Sequence, residues 1–281
     1  MSLQRDEIRN WIIYGSISLL LTIGTVVLAL GPGLNLVMQR AVQRLPLSIE
    51  NDLGGRLLGH LVRADANQDP ELKVILQKCA GALREPGEER EYEVLLVENP
   101  EVNAFALPGG HLVLYRGLVD KLQDQHELMS VLGHEAGHVR HRHFLQRLAR
   151  AASIGAVFTL LAGDTTGLVA VMFDSGKELL QKGYSRTEEQ VADDEGLKTL
   201  QRLGLDTHGA DRAMQRLIDA GGGNLLPEVL STHPDTESRR QRLMLAAQAL
   251  PQGTKVLLTP AEWTRLKLHD SPAKKSETDV K

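Results

Sequence analysis

The sequence predicts an α+β, mostly helical fold with a small sheet, preceded by an N-terminal transmembrane helix. Three observations carry that expectation. Long segments repeat apolar residues at spacings of three, four and seven and are bounded by helix-capping residues. One short region, Glu91 to Leu114, alternates apolar and polar residues around Pro108-Gly109-Gly110. Trp11 to Leu30 is a run of twenty residues without a charge.

As a helix that run would span roughly 30 Å, the thickness of a bilayer core, with Trp11 and Tyr14 at one interface. A cleaved signal peptide would have a shorter apolar core, about 7–15 residues, behind a basic leader. Here Arg5 and Arg9 are offset by Asp6 and Glu7. Residues 1–10 are then a flank, 11–30 the anchor, 31–45 a linker and 46–268 the folded domain. Arg40 and Arg44 follow the anchor, so basic residues on both sides leave its orientation open. With 281 residues, 42% hydrophobic and 24% charged, the chain can bury one substantial core. A net charge of −4 gives no reason to invoke nucleic acid as a partner. The lone Cys79 lies in an apolar helical stretch, Leu72 to Leu83, where a small buried residue is the default.

The sheet comes next. Tyr92, Val94 and Leu96 mark a strand, and Phe105, Leu107, Leu112 and Leu114 continue the pattern around the glycine-rich turn as a hairpin. An exposed edge here would pair with an extended peptide, with Asn103 and Ala104 in contact. An ordinary structural hairpin accounts for the same residues.

A helix is expected from near Gln125, where Asp124 and Glu127 form a D-x-x-E capping box. Leu128, Val131, Leu132 and Val139 carry its periodicity, and no proline interrupts Gln125 to Arg150. On it lies His134-Glu135-Ala136-Gly137-His138, an H-E-x-x-H pattern. Residues i and i+4 share a helical face, so both imidazoles can address one metal ion. Glu135 lies about 100° further around, placed to deprotonate a water rather than to ligate. Gly133 and Gly137 each cost about 1 kcal/mol relative to alanine, which implies a close neighbour such as a strand or a substrate. His141 and His143 read as incidental surface histidines.

Ser185 and Glu188 form a second capping box, opening a helix that runs to about Leu203 and ends at Gly204. Glu189 and Asp193 share one face of it, and Val191, Leu197 and Leu200 line an adjacent apolar stripe. Glu189 could complete a metal site while Asp193 accepts the free ring N–H of a ligating histidine. A solvated acidic surface is the rival reading. Between the two helices lies a second apolar region, residues 151–183, broken at Gly163-Asp164-Thr165-Thr166-Gly167 into limbs too short to cross a bilayer. It is either a buried helical hairpin or a lid over the site. Thr236 to Leu250 reads as a further helix, Thr259-Pro260-Ala261-Glu262 caps a short last one, and 269–281 is a polar, disordered tail.

Four of these segments together resemble the membrane-associated zinc metalloproteases of the HtpX and CAAX prenyl endopeptidase type. They are His134 to Val139, Ser185 to Gly196, Asn103-Ala104-Phe105-Ala106-Leu107-Pro108-Gly109-Gly110, and Ser231-Thr232-His233-Pro234 with Arg239. The likeness is nearest to the periplasmic BepA-like branch. Val191 stands where many relatives carry a second glutamate, a position that is not a ligand.

The resemblance implies a gluzincin-type metalloprotease domain binding one zinc ion per chain through His134, His138 and Glu189. Glu135 would be general base and Asp193 would orient a ligand. His233 and Arg239 would stand near the open coordination position, stabilising an oxyanion or occupying the site at rest. For His233, a turn histidine before Pro234 remains the alternative. It also implies protein or peptide substrates, misfolded or membrane-associated, and a single-pass protein of the bacterial inner membrane with its catalytic domain in the periplasm. A homo-oligomer or a regulatory partner stays open. So does a chaperone-like binding module whose zinc site is self-blocked.

Overall fold

The computed structural model describes residues 10–11, 13–23, 39–40, 42–62, 66–67, 69–151, 183–220, 233 and 236–268. Among them are nine named helices and three strands. The first two helices, α1 (Leu47–Leu61) and α2 (Pro70–Leu83), precede the strand β1 (Glu93–Val97). Then come β2 (Ala104–Leu107), β3 (His111–Tyr115), α3 (Arg116–Lys121), α4 (Gln125–Arg140) and α5 (His143–Ala151). The helices α6 (Arg186–Leu203), α7 (Gly209–Ala220), α8 (Thr236–Gln248) and α9 (Pro260–Lys267) complete the set.

The sheet order is β1-β3-β2. β2 and β3 form the expected hairpin, with Ala104 opposite Leu114 and Leu107 opposite His111. A 3₁₀ turn at Pro108–Gly110 joins them, and Gly109 and Gly110 take φ values of 81° and 89°, a region that favours glycine. β1 adds to the far side of β3 in parallel. Side chains alternate across β3, so Leu112 and Leu114 enter one core with α2 and α4, while Val113 enters another with α1 and α5. The sheet is therefore covered by helices on both faces.

Caps fix the helices that matter most. Asp124 accepts from the backbone N–H of His126 and Glu127 at the start of α4. Glu127 does not close the box on Asp124; it reaches one residue further, accepting from the Gln123 N–H at 2.7 Å. The Ser185–Glu188 box of α6 is reciprocal, and Gly204 ends that helix with φ 68°. Thr259 and Glu262 cap α9 in the same reciprocal way.

No proline interrupts Gln125 to Arg150, yet the helical stretch is broken there. α4 ends at Arg140, Arg142 takes a left-handed φ of 55°, and α5 starts at His143. Such a backbone costs an L-residue about 1–2 kcal/mol. It is held by the Arg142 side chain, which donates to Glu50 at 3.0 Å and to the carbonyls of Val42 and Leu45 at 2.8 and 2.7 Å. Arg90 shares the same buried Glu50.

Of the expected anchor, residues 11 and 13–23 are helical and carry exposed apolar side chains, Trp11, Tyr14 and Leu20 among them. Residues 24–30 lie outside the described residues. Among the described residues no helix is long and apolar enough to cross a membrane. The insertion at 152–182 and the tail at 269–281 also lie outside them.

Candidate metal centre

The two helices bearing the expected ligands, α4 and α6, pack directly on one another, and glycines set how closely. A Cβ added at Gly133 would stand 2.9 Å from Thr199 Cβ and 3.0 Å from Gly196 Cα. One added at Gly137 would stand 2.8 Å from Glu195 Cβ and 3.1 Å from Ala192 Cα. Gly196 faces the opposite way, within 3.0 Å of the Ser130 carbonyl. The close neighbour of Gly133 and Gly137 is thus the second ligand helix, neither a strand nor a substrate.

That approach brings together His134, His138, Glu189 and His233. One donor atom from each lies within 4.8 Å of all the others. His134 Nε2 is 3.1 Å from His138 Nε2 and 3.3 Å from His233 Nδ1. Glu189 lies 3.6 Å from each of the first two rings and 2.8 Å from His233. Nitrogen and oxygen donors about 2.0–2.1 Å from one tetrahedral ion stand roughly 3.3 Å apart, so the donor set fits zinc in both chemistry and spacing.

The donors are largely buried. Glu189 and His138 are 0% and 1% exposed. Burial raises the pKa of Glu135 and, with the neighbouring His134 and His233, holds His138 well below the usual histidine range. Glu135 Oε1 lies 3.7 Å from His233 Nε2, and its Oε2 is buried with no hydrogen-bond partner among protein atoms. Burial pushes the carboxyl of Asp193 up, but hydrogen bonds from Arg239 and His134 outweigh that and hold it well down.

Each ring is oriented from behind. Asp193 Oδ1 is 3.0 Å from His134 Nδ1. Arg239 grips Asp193 with two N–H groups at 2.7 and 3.0 Å and pairs with Glu189 at 2.5 Å. Arg242 adds a third donor to Asp193 at 3.2 Å. The guanidinium of Arg239 thus faces the two carboxylates of α6. His138 Nδ1 lies 2.8 Å from His143 Nδ1, and the Tyr184 ring stacks on His138 at 3.8 Å. His143 is buried, with its pKa pushed down to about 4, first by desolvation and opposed by Glu188.

Neither contact of His138 was expected. His143 is five residues beyond it and off its face on a continuous helix; only the break at Arg142 folds it back. Tyr184 adjoins the Ser185 cap, and that adjacency is the one signal in the sequence. Asn103 immediately precedes β2 and Ala104 opens it; they are 5% and 1% exposed. The far end of β2 lines a small cavity with His138 through Ala106 and Leu107. A separate, largely apolar pocket opens beside the donors, lined by Val131, Met214, Leu217 and Leu243 as well as His134 and Glu135.

The model of peptidase family M48 matches residues 66–246. The chain belongs to this family. It is similar to the β-barrel assembly-enhancing protease of Escherichia coli K12, 31% identical over 159 residues, covering 53% of this chain and 33% of that protein. It is also similar to the mitochondrial metalloendopeptidase OMA1 of Arabidopsis thaliana, 33% identical over 162 residues, 56% of this chain and 31% of that one. The E. coli metalloprotease YcaL is 30% identical over 148 residues, 51% and 57% of the two chains. The chain thus spans about a third of the length of the first two relatives. The resemblance read from the four motifs is the family found by comparison, and the mostly helical domain with its three-stranded sheet agrees with it.

Proposed function

We propose that this chain is a zinc-dependent endopeptidase that hydrolyses peptide bonds in misfolded or membrane-associated proteins. The observation that carries the reading is the convergence of His134, His138 and Glu189 on one point, with Glu135 beside it. A bound zinc would polarise a carbonyl and lower the pKa of a water. Glu135, beside that point, would take the proton from the attacking water and pass it to the leaving amine. Asp193, locked by Arg239, keeps His134 in the tautomer that presents Nε2. Arg239 acts through these carboxylates as a positioning residue.

Extended substrate lies along β2, past Asn103 and Ala104, where main-chain pairing gives broad sequence tolerance. The adjacent apolar pocket accepts a side chain next to the scissile bond, in keeping with unfolded or membrane-associated substrates. Residues 11–30 tether the enzyme as a single-pass anchor of the bacterial inner membrane, with the catalytic domain in the periplasm. Purified protein should contain one zinc and cleave casein, whereas Glu135→Gln should keep the zinc and lose cleavage. Cleavage retained in that variant would remove Glu135 from the mechanism.

One observation favours a second reading. His233 Nδ1 stands among the other donors at distances suited to a fourth ligand, and four protein ligands typify closed sites. In this reading His233 blocks the centre, and the chain at rest is a chaperone-like protein-binding module. Substituting His233 tests this block: cleavage and zinc binding both unchanged in His233→Ala count against it.

A further inference from the structure

We propose that His143 is a positioning residue for the metal ligand His138, serving as the hydrogen-bond acceptor that fixes its tautomer. The inference rests on the zinc reading given above. His138 Nε2 points into the donor cluster, 3.1 Å from His134 Nε2 and 3.6 Å from Glu189. A ligating nitrogen needs a free lone pair, so the ring proton of His138 must sit on Nδ1. Nδ1 faces His143 Nδ1 at 2.8 Å. Two nitrogens at that distance share one proton. His143 must therefore offer a lone pair at Nδ1 and carry its own proton on Nε2.

This places an unusual group behind a metal ligand. The usual partner is a carboxylate, a backbone carbonyl or water. His134 follows that pattern through Asp193; His138 has a neutral imidazole instead. The chain is bent to make the contact, because the left-handed Arg142 turns α5 back so that its first residue lies under the last turn of α4. The His138 ring is also confined from the side. Tyr184 stacks on it at 3.8 Å with an interplanar angle of 18°, and the Arg147 guanidinium covers the other side of Tyr184 at 4.4 Å. Stacking limits tilt of the ring but leaves its rotation and tautomer free. Among the described residues, the His143 contact is the one that selects which nitrogen carries the ring proton.

Near-isosteric Asn and Leu at position 143 test the role, since Asn keeps an acceptor close to the Nδ1 position and Leu does not. Zinc affinity is read by chelator competition, and the melting temperature of each metal-free protein reports folding separately. His143→Leu should weaken zinc about 10–100-fold, while His143→Asn should stay within a few-fold of wild type. Leu binding zinc as wild type does, or Asn as weak as Leu, would overturn the proposal. If the Leu variant does not fold, the wild-type protein decides by nitrogen-detected imidazole NMR of the zinc form. A proton on His143 Nε2 and on His138 Nδ1 supports the assignment, and one on His143 Nδ1 refutes it. Wild type failing to bind zinc would instead overturn the underlying zinc reading.

Discussion

Gly137→Ala should disable the metal centre while barely unfolding the protein. The added methyl would lie 2.8 Å from Glu195 Cβ and 3.1 Å from Ala192 Cα, both on α6. Carbon atoms favour separations of about 3.5–4.0 Å, so the helices must part by several tenths of an ångström. Overpacking of this kind costs about 1–3 kcal/mol, and alanine returns about 1 kcal/mol in helix propensity. The net destabilisation is about 0–2 kcal/mol. The effect on binding is larger, because α4 carries two of the proposed ligands and α6 the third. Zinc affinity should fall at least tenfold, read by chelator competition beside urea melts of the metal-free protein. Gly59→Ala and Gly81→Ala are the controls: both are exposed helix positions with nothing within 4 Å of an added Cβ, and each should stabilise by about 1 kcal/mol with zinc binding unchanged. If Gly137→Ala stabilises as the controls do and holds zinc as tightly, close helix approach does not set the site.

Other outcomes follow from the same structure. Arg142→Gly relieves a backbone cost of about 1–2 kcal/mol but removes one of two guanidiniums from buried Glu50, so urea melts should show a net loss of about 1–3 kcal/mol. The His141 ring 3.6 Å away, then hydrogen bonds from Lys198 and Arg140 at 2.8 Å, hold Glu195 at about 2 against an ordinary 4.5. A lowered carboxyl stabilises fully above its unfolded value, and that part is lost as pH falls from about 5 towards 2. Glu195→Gln should therefore flatten the acid limb of a stability–pH curve and leave its neutral slope unchanged. Chelation should lower the melting temperature, and readded zinc at a hundredfold excess over its dissociation constant should restore about 2.7 kcal/mol.

Much of the site was legible because helices write their rules locally. The caps at Asp124 and Ser185 placed α4 and α6 to within a residue, and the i, i+4 spacings put His134 with His138 and Glu189 with Asp193 on shared faces. Gly133 and Gly137 signalled close approach, but not by what, since a helix neighbour leaves no mark on the helix it touches. The break at Arg142 was hidden because its stabilising partners, Glu50 and the Val42 and Leu45 carbonyls, are about a hundred residues away. His143 was misread for the same reason. The hairpin was evident from its turn, while the parallel pairing of β1 with β3 depends on contacts that no local pattern records.

Zinc stoichiometry and casein cleavage in Glu189→Ala and His233→Ala test most directly which donors hold the ion. Glu189→Ala should lose zinc and activity together. His233→Ala should retain one zinc per chain and cleave at least as fast as wild type, because His134, His138 and Glu189 hold the ion without it. Loss of zinc from His233→Ala to the same degree as from Glu189→Ala would contradict a three-ligand catalytic site and make the centre a closed, structural one.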